Sequence, residues 1–232
     1  MSTHKPSKIK QLYWDWRGWA IHRWRRLRGT VSGSVDNFFQ FGCRNEQWVR
    51  VIMNRETASL VRGLNPGNIR ALELSGDQWR EFGFKSYSAT RFPTGTRCET
   101  GTIESDICAE PVKGEFDLVI AEQVFEHLLW PYRAGKNVYE SLKKGGHFLV
   151  TTPFMIRVHD DPVDCTRWTE TGIRHFLAEC GFPMDQIRTG SWGNRQCVKA
   201  NFSRWQRYRP GFHSLRNEKL FPVSVWALAK KI

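Results

Sequence analysis

The chain has 232 residues, a net charge of +12 and 40% hydrophobic content. That length buries one sizeable core and leaves a second full domain cramped, so one α/β domain with appendages is expected. No apolar run approaches the ~20 residues of a membrane-spanning helix and the N-terminus lacks the apolar core of a secretion signal, which predicts a cytoplasmic protein.

The charge is uneven. Residues 1–28 carry a net +7 and residues 195–219 a net +6, which leaves the remainder near −1. Two basic appendages therefore flank a nearly neutral body, and each is suited to meet something anionic. The six cysteines (Cys43, Cys98, Cys108, Cys165, Cys180, Cys197) include no close-spaced pair of the zinc or redox kind, and they read as reduced, structural thiols.

Residues 1–64 form the first unit, a basic, tryptophan-rich helical extension or cap. Ile9, Tyr13, Trp16, Ala20, Trp24 and Leu27 recur at helical spacing, with Arg17 and Arg25 on the other side, which predicts an amphipathic helix over 9–27. Three uses of that stripe stay open. It packs as a lid or homodimer contact, it lies in a membrane interface through residues 9–28, or it touches nucleic acid. Gly29 to Gly33 read as a linker, and the aromatic trio Phe38, Phe39 and Phe41 precedes a second helix predicted over Asn45 to Val61. Asn65-Pro66-Gly67 is a turn.

The second unit is 65–232. Arg70 to Ser75 reads as its first strand, running through Gly76-Asp77 into a helix predicted from Gln78 onward. Glu73 stands near the strand end, where a carboxylate accepts hydrogen bonds from ligand hydroxyls, while Ser75 and Gly76 make a tight turn. With a single glycine the turn does not support a nicotinamide dinucleotide. Phe84 to Ala89 is a fainter second strand, and Asp106 follows in ESDICAEP.

Phe116 to Ala121 is a strand apolar on both faces, closed by Glu122 and Gln123. A helix follows, then a second helical stretch entered at Pro131 with Ala134, Val138 and Leu142 inward, stopped by Gly145-Gly146. His147 to Thr152 is the next strand. Such a strand, crossover and strand form a right-handed parallel unit whose ligands lie at the carboxyl ends, so Glu122, Gln123 and the segment after Thr152 face the expected site. Thr169 caps a helix over Glu170 to Cys180 that Gly181 ends, with Arg167 and Trp168 just before it. Ile187 to Trp192 and Val223 to Ala229 read as closing strands, and the insert at about 193–222 carries Trp205, Tyr208, Phe212 and interleaved arginines suited to gate substrate entry.

Taken together, ALELSG at 71–76, SDICAEP at 105–111, FDLVIAEQVFEHL at 116–128, LKKGGHFLVTTPF at 142–154 and TRWTETGIRHFLAECGF at 166–182 resemble a class I S-adenosylmethionine-dependent methyltransferase, of the branch labelled methyltransferase type 11. The resemblance spans roughly residues 65–230. It implies a Rossmann-like, seven-stranded, mostly parallel sheet with helices on both faces and the last strand antiparallel. It also implies S-adenosylmethionine as cofactor. By position, Glu73 is then the acid on the methionine side with Ser75 and Gly76 lining the turn, Asp106 lies beside adenine with Ile107 against the ring, and Glu122 and Gln123 border the cofactor. Glu126-His127 match the acid–histidine pair of the family. Ser75 and Asp77 stand where glycines are usual, and Thr90 stands near the place of the customary ribose-binding acid.

Methyl transfer from a sulfonium needs alignment and a base where the nucleophile carries a proton, without metal or covalent intermediate. His159 in MIRVHDDPVD is the expected base, oriented by Asp160 or Asp161, with His127 second; the bland alternatives are a loop histidine and a helix-start pair. The expected reaction methylates an oxygen or nitrogen of a small-molecule or glycan acceptor. The alternatives are RNA methylation, favoured by the arginine-aromatic interleaving of the appendages but opposed by the neutral middle, and a non-catalytic scaffold.

Overall fold

A computed structural model describes residues 46–92, 102–160 and 163–232. The expected helix over 9–27, the glycine linker and Phe38, Phe39 and Phe41 lie outside the described residues.

The seven strands are β1 (Arg70–Glu73), β2 (Ser86–Arg91), β3 (Thr102–Glu104), β4 (Phe116–Glu122), β5 (Leu142–Pro153), β6 (Ile187–Trp192) and β7 (Ser224–Lys230). They form one sheet in the order β3-β2-β1-β4-β5-β7-β6, parallel except for β7, which runs antiparallel to both neighbours. The order reverses between β1 and β4. In sheets of this kind the carboxyl edge at that switch point is the usual ligand position.

Alternation along β4 sorts the core into two layers. Leu118 and Ile120 join Ala71 and Leu149 on one face, whereas Val119 and Ala121 join Leu72, Phe148 and Val150 on the other. The second face is covered by α2 (Pro131–Ser141) through Ala134 and Val138 and by α3 (Glu170–Glu179) through Ile173, Phe176 and Leu177. The first is covered by α1 (Val51–Arg62) through Ala58 and Val61. Residues 46–62 thus belong to the folded body and do not form an extension apart from it. Pro131 opens α2 and the Thr169 hydroxyl accepts from Gly172 N at the start of α3, both as the sequence predicts.

Three elements depart from expectation. Between β1 and β2 there is only a 3-10 turn at Arg80–Phe82 where a helix is predicted from Gln78. The amides of Gln78 and Trp79, which would open that helix, donate instead to the Glu73 carboxylate, and Gly83 at φ 87 turns the chain into β2. The sheet face left uncovered is filled by a run of rings: Trp79 on Phe82 at 4.8 Å, Phe82 on Phe84 at 5.6 Å and Phe84 on Tyr87 at 6.4 Å. Such pairs contribute about 0.5–1.5 kcal/mol each beyond area burial. The second departure is at α2, which ends at Ser141: Leu142 pairs with Phe116, so β5 begins before the Gly145-Gly146 pair and shifts register there. The first helix expected after β4 is likewise a single 3-10 turn at Phe125–His127.

The insert between β6 and β7 carries a short helix, α4 (Arg195–Ala200), capped by Asn194. Its remainder folds back onto the start of the described chain. Gln47 bridges to Arg207, Trp48 Nε1 donates to Ser214 O at 3.1 Å, and Trp48 stacks on His213 at 4.0 Å. Trp48, Trp192, Val198 and Val223 close a third apolar cluster beneath it. Cys108, Cys165, Cys180 and Cys197 are free, and no helix of the described residues is long and apolar enough to cross a membrane.

Candidate active site at the strand tips

The tip of β1 is built around Glu73. Its side chain is buried, with Oε1 accepting from Gln78 N at 3.1 Å and Oε2 from Trp79 N at 3.0 Å and Tyr87 Oη at 2.5 Å. Burial raises its carboxyl above the ordinary range in spite of those donors. Gly76 lies directly over the carboxylate: a Cβ there would sit 2.2 Å from Glu73 Oε1. Glu73 therefore shapes the turn from beneath, and its oxygens are spent on the chain itself.

Ser75 adopts φ 57, a left-handed conformation more natural to glycine, and its N–H donates to Thr90 Oγ1 at 3.1 Å. The hydroxyl that stands near the usual ribose acid is thus buried and committed to the turn. Gln123, at the tip of β4, is also left-handed at φ 54, and is tied to β5 through Thr151. The tips of the adjacent strands β1 and β4 both bend sharply at the switch point.

Glu122 is bound from two sides. Its Oε2 accepts from Trp79 Nε1 at 2.9 Å and its Oε1 from Arg50 Nη1 at 3.4 Å. Neither partner was singled out by sequence reasoning, because Trp79 reads as a helix residue and Arg50 as one of many surface arginines. At the tip of β3, Asp106 is half-buried and its Oδ1 accepts from Cys108 N at 2.9 Å. Ile107 is nearly buried in the cluster that holds Leu74, Val112 and Val124, and its carbonyl accepts from Asn137 Nδ2 at 2.8 Å. Asp106 is thus the more open of the two.

The acid–histidine pair begins four residues after the end of β4. Glu126 is wholly buried and neither carboxylate oxygen has a hydrogen-bond partner, which pushes its carboxyl up to about 8. His127 Nε2 is 3.5 Å from Glu126 Oε1, and its Nδ1 is 2.5 Å from the Val163 carbonyl, so Nδ1 carries a donated proton. His159 packs edge-on to His127 with centroids 5.0 Å apart, and edge-on to Trp205 of the insert at 5.6 Å. Arg157 lies over the same Trp205 ring at 4.5 Å.

The orienting partner of His159 is Asp164, whose Oδ2 lies 3.1 Å from His159 Nδ1 and accepts the His159 amide at 2.9 Å. Asp160 is exposed and Asp161 lies outside the described residues, so the expectation that these two orient His159 is replaced. The i, i+3 spacing of Asp164 and Arg167 is the signal that could have found it: the arginine fork grips the carboxylate and fixes it. Although burial opposes it, that grip holds the Asp164 carboxyl below its usual range. Burial lowers the His159 imidazole to about 4, with His127 and Arg167 adding to the effect and Asp164 opposing it. His159 is therefore neutral at physiological pH.

This arrangement of strands, switch point and tip loops is the class I S-adenosylmethionine-dependent methyltransferase fold. Residues 80–150 match the family model described as a methyltransferase domain. The chain is similar in structure to an S-adenosylmethionine-dependent methyltransferase from Mesorhizobium loti, at 16% identity and a TM-score of 0.51 over 75% of this chain and 96% of that one. A second such methyltransferase, from Thermotoga maritima, aligns at 15% identity and a TM-score of 0.55 over 95% of this chain and 100% of that one. No curated protein matches by sequence.

The tip residues fit that cofactor in position. Asp106 offers an acceptor at the end of β3, and the bend at Ser75 and Gly76 lets backbone approach a ligand. Among the described residues, β2 ends without a carboxylate for the ribose hydroxyls.

Proposed function

We propose that the protein is a methyltransferase using S-adenosylmethionine and methylating an oxygen or nitrogen of a small-molecule or glycan acceptor. The observation that supports this reading most is the gathering of Glu126, His127 and His159 beside the tip of β4, at the carboxyl edge where the cofactor of this fold lies. When bound, S-adenosylmethionine supplies a methyl group already activated by its sulfonium, so the chain has to align and exclude water. The turn shaped by Glu73 and Gly76 and the Asp106 carboxylate hold the cofactor ends, while Glu122, pinned by Trp79 and Arg50, fixes the floor between them.

His159 receives the acceptor's proton. Asp164 accepts a hydrogen bond from Nδ1–H, which leaves Nε2 with the lone pair, and the neutral ring has that pair available across the physiological range. His127, held through Nδ1 by the Val163 carbonyl, stands second in the same relay. Trp205 and Arg157 form the acceptor-side wall. A hydroxyl or amine approaching from that side meets an aromatic face and a cation, which suits a polar acceptor that carries a phosphate or a sugar.

Calorimetry with S-adenosylhomocysteine tests the cofactor, and His159→Ala tests the base. The expected result is binding of the product nucleoside by both proteins with turnover lost only in the variant. No binding by a folded wild-type protein supports the scaffold reading instead, and equal loss of turnover and cofactor affinity in the variant removes His159 as the base.

A further inference from the structure

We propose that Glu126, His127 and His159 form a binding site for one divalent first-row transition-metal ion, held by a carboxylate and two imidazoles. The sequence points to metal-free chemistry, and the three side chains come from a turn after β4 and a loop 32 residues further on, so only the fold brings them together. One ligand atom from each lies within 4.8 Å of the others. Ligands around an ion at ~2.1 Å lie roughly 3–4 Å apart, so closure on an ion needs a shift of about 1 Å.

Glu126 points to a ligand independently of that clustering. Both of its oxygens are sealed from solvent without a hydrogen-bond partner, beside two imidazoles. A proton would cancel its charge and could be shared with His127 Nε2 only across 3.5 Å, leaving the second oxygen unpaired at a cost of about 1–3 kcal/mol. A cation neutralises the carboxylate and gives it a ligand bond. The nearby arginines do not substitute, since Arg50 is engaged with Glu122 and Arg167 with Asp164.

The surroundings are those of metal-ligating histidines. His127 Nδ1–H donates to a backbone carbonyl, and His159 Nδ1 lies 3.1 Å from the Asp164 carboxylate and 3.3 Å from Arg167 Nη2; with Nδ1–H donating to the nearer carboxylate, both Nε2 atoms are left as ligands and the rings are fixed. Two nitrogen donors favour zinc, iron, nickel or copper over magnesium or calcium, which take oxygen ligands. A three-ligand site keeps coordination positions open. Resting on the methyl-transfer reading, an ion bound here takes the Nε2 lone pairs and so replaces His159 as the activating group: its Lewis acidity lowers the pKa of a bound acceptor hydroxyl, which narrows the acceptor to a hydroxyl compound.

The test strips the full chain with a chelator, restores Co2+ or Zn2+, and reads stoichiometry by atomic emission and the cobalt visible spectrum. One equivalent is expected in the wild type. Glu126→Gln and His159→Asn should lose it, and Asp164→Asn should weaken it by about 10- to 100-fold. Far less than one equivalent in the wild type, or equal retention in all three variants as cysteine or surface binding would give, overturns the site. Should Glu126→Gln fail to fold, the two more exposed positions carry the result. S-adenosylhomocysteine titrated into the stripped protein keeps the two readings apart: nucleoside binding without metal retention sinks the metal alone, and metal retention without nucleoside binding sinks methyl transfer alone.

Discussion

Trp79 and Glu122 are joined across the carboxyl edge of the sheet: the indole Nε1 donates to Oε2 at 2.9 Å, while the backbone N–H of the same tryptophan donates to Glu73 at 3.0 Å. One residue thus ties the acids at the tips of β1 and β4. Its ring also starts the aromatic run that covers the sheet in place of a helix.

Trp79→Phe keeps the ring and removes the donor. A hydrogen bond to a charged group contributes about 1.5–3 kcal/mol, so urea denaturation should show a loss within that range without a change in slope. S-adenosylhomocysteine affinity should fall with it, because Glu122 retains only Arg50.

Gly76→Ala places a methyl 2.2 Å from Glu73 Oε1, so either the turn lifts or the acid swings out. Calorimetry should record a roughly tenfold weaker product-nucleoside affinity, about 1.4 kcal/mol, in a protein that remains folded.

Ser75→Gly works in the opposite direction on stability. At φ 57 a side chain costs about 1–2 kcal/mol, and glycine relieves it while keeping the amide donation to Thr90. The chemical denaturation midpoint should rise. A fall would mean that the serine hydroxyl carries more than the backbone strain.

The pH dependence of stability follows from His159. Its imidazole titrates near 4 in the folded chain against an ordinary value of 6.5, so the unfolded chain binds more protons between those values. In chelator-treated protein the contribution is complete above about pH 6.5 and is lost as pH falls toward 4, with a slope of at most about 1.4 kcal/mol per pH unit. His159→Gln should flatten that limb in denaturation curves at stepped pH.

The strands were legible because their signal is local. Phe116 to Ala121, Ile187 to Trp192 and Val223 to Ala229 are apolar runs bounded by polar or turn residues, and each forms a strand within about one residue of its expected span. Gln78 was misread for the converse reason: its helical pattern is real, but a buried carboxylate five residues earlier takes the amides a helix would have used. The candidate site was half legible. Glu126-His127 and His159 stand out as residue types in their segments, whereas the choice of Asp164 over Asp160 depends on which acid Arg167 can reach. That neither Glu126 oxygen finds a hydrogen-bond partner is a property of packing alone.

The insert between β6 and β7 fastens to the start of the folded body through Gln47, Trp48 and His213, while Trp205 from the same insert faces His159. The 3-10 turn Trp48–Arg50 therefore works in two directions, holding the insert through Trp48 and the tip of β4 through the Arg50 contact with Glu122. A change packed against Trp48 reaches both the wall beside His159 and the strand tip.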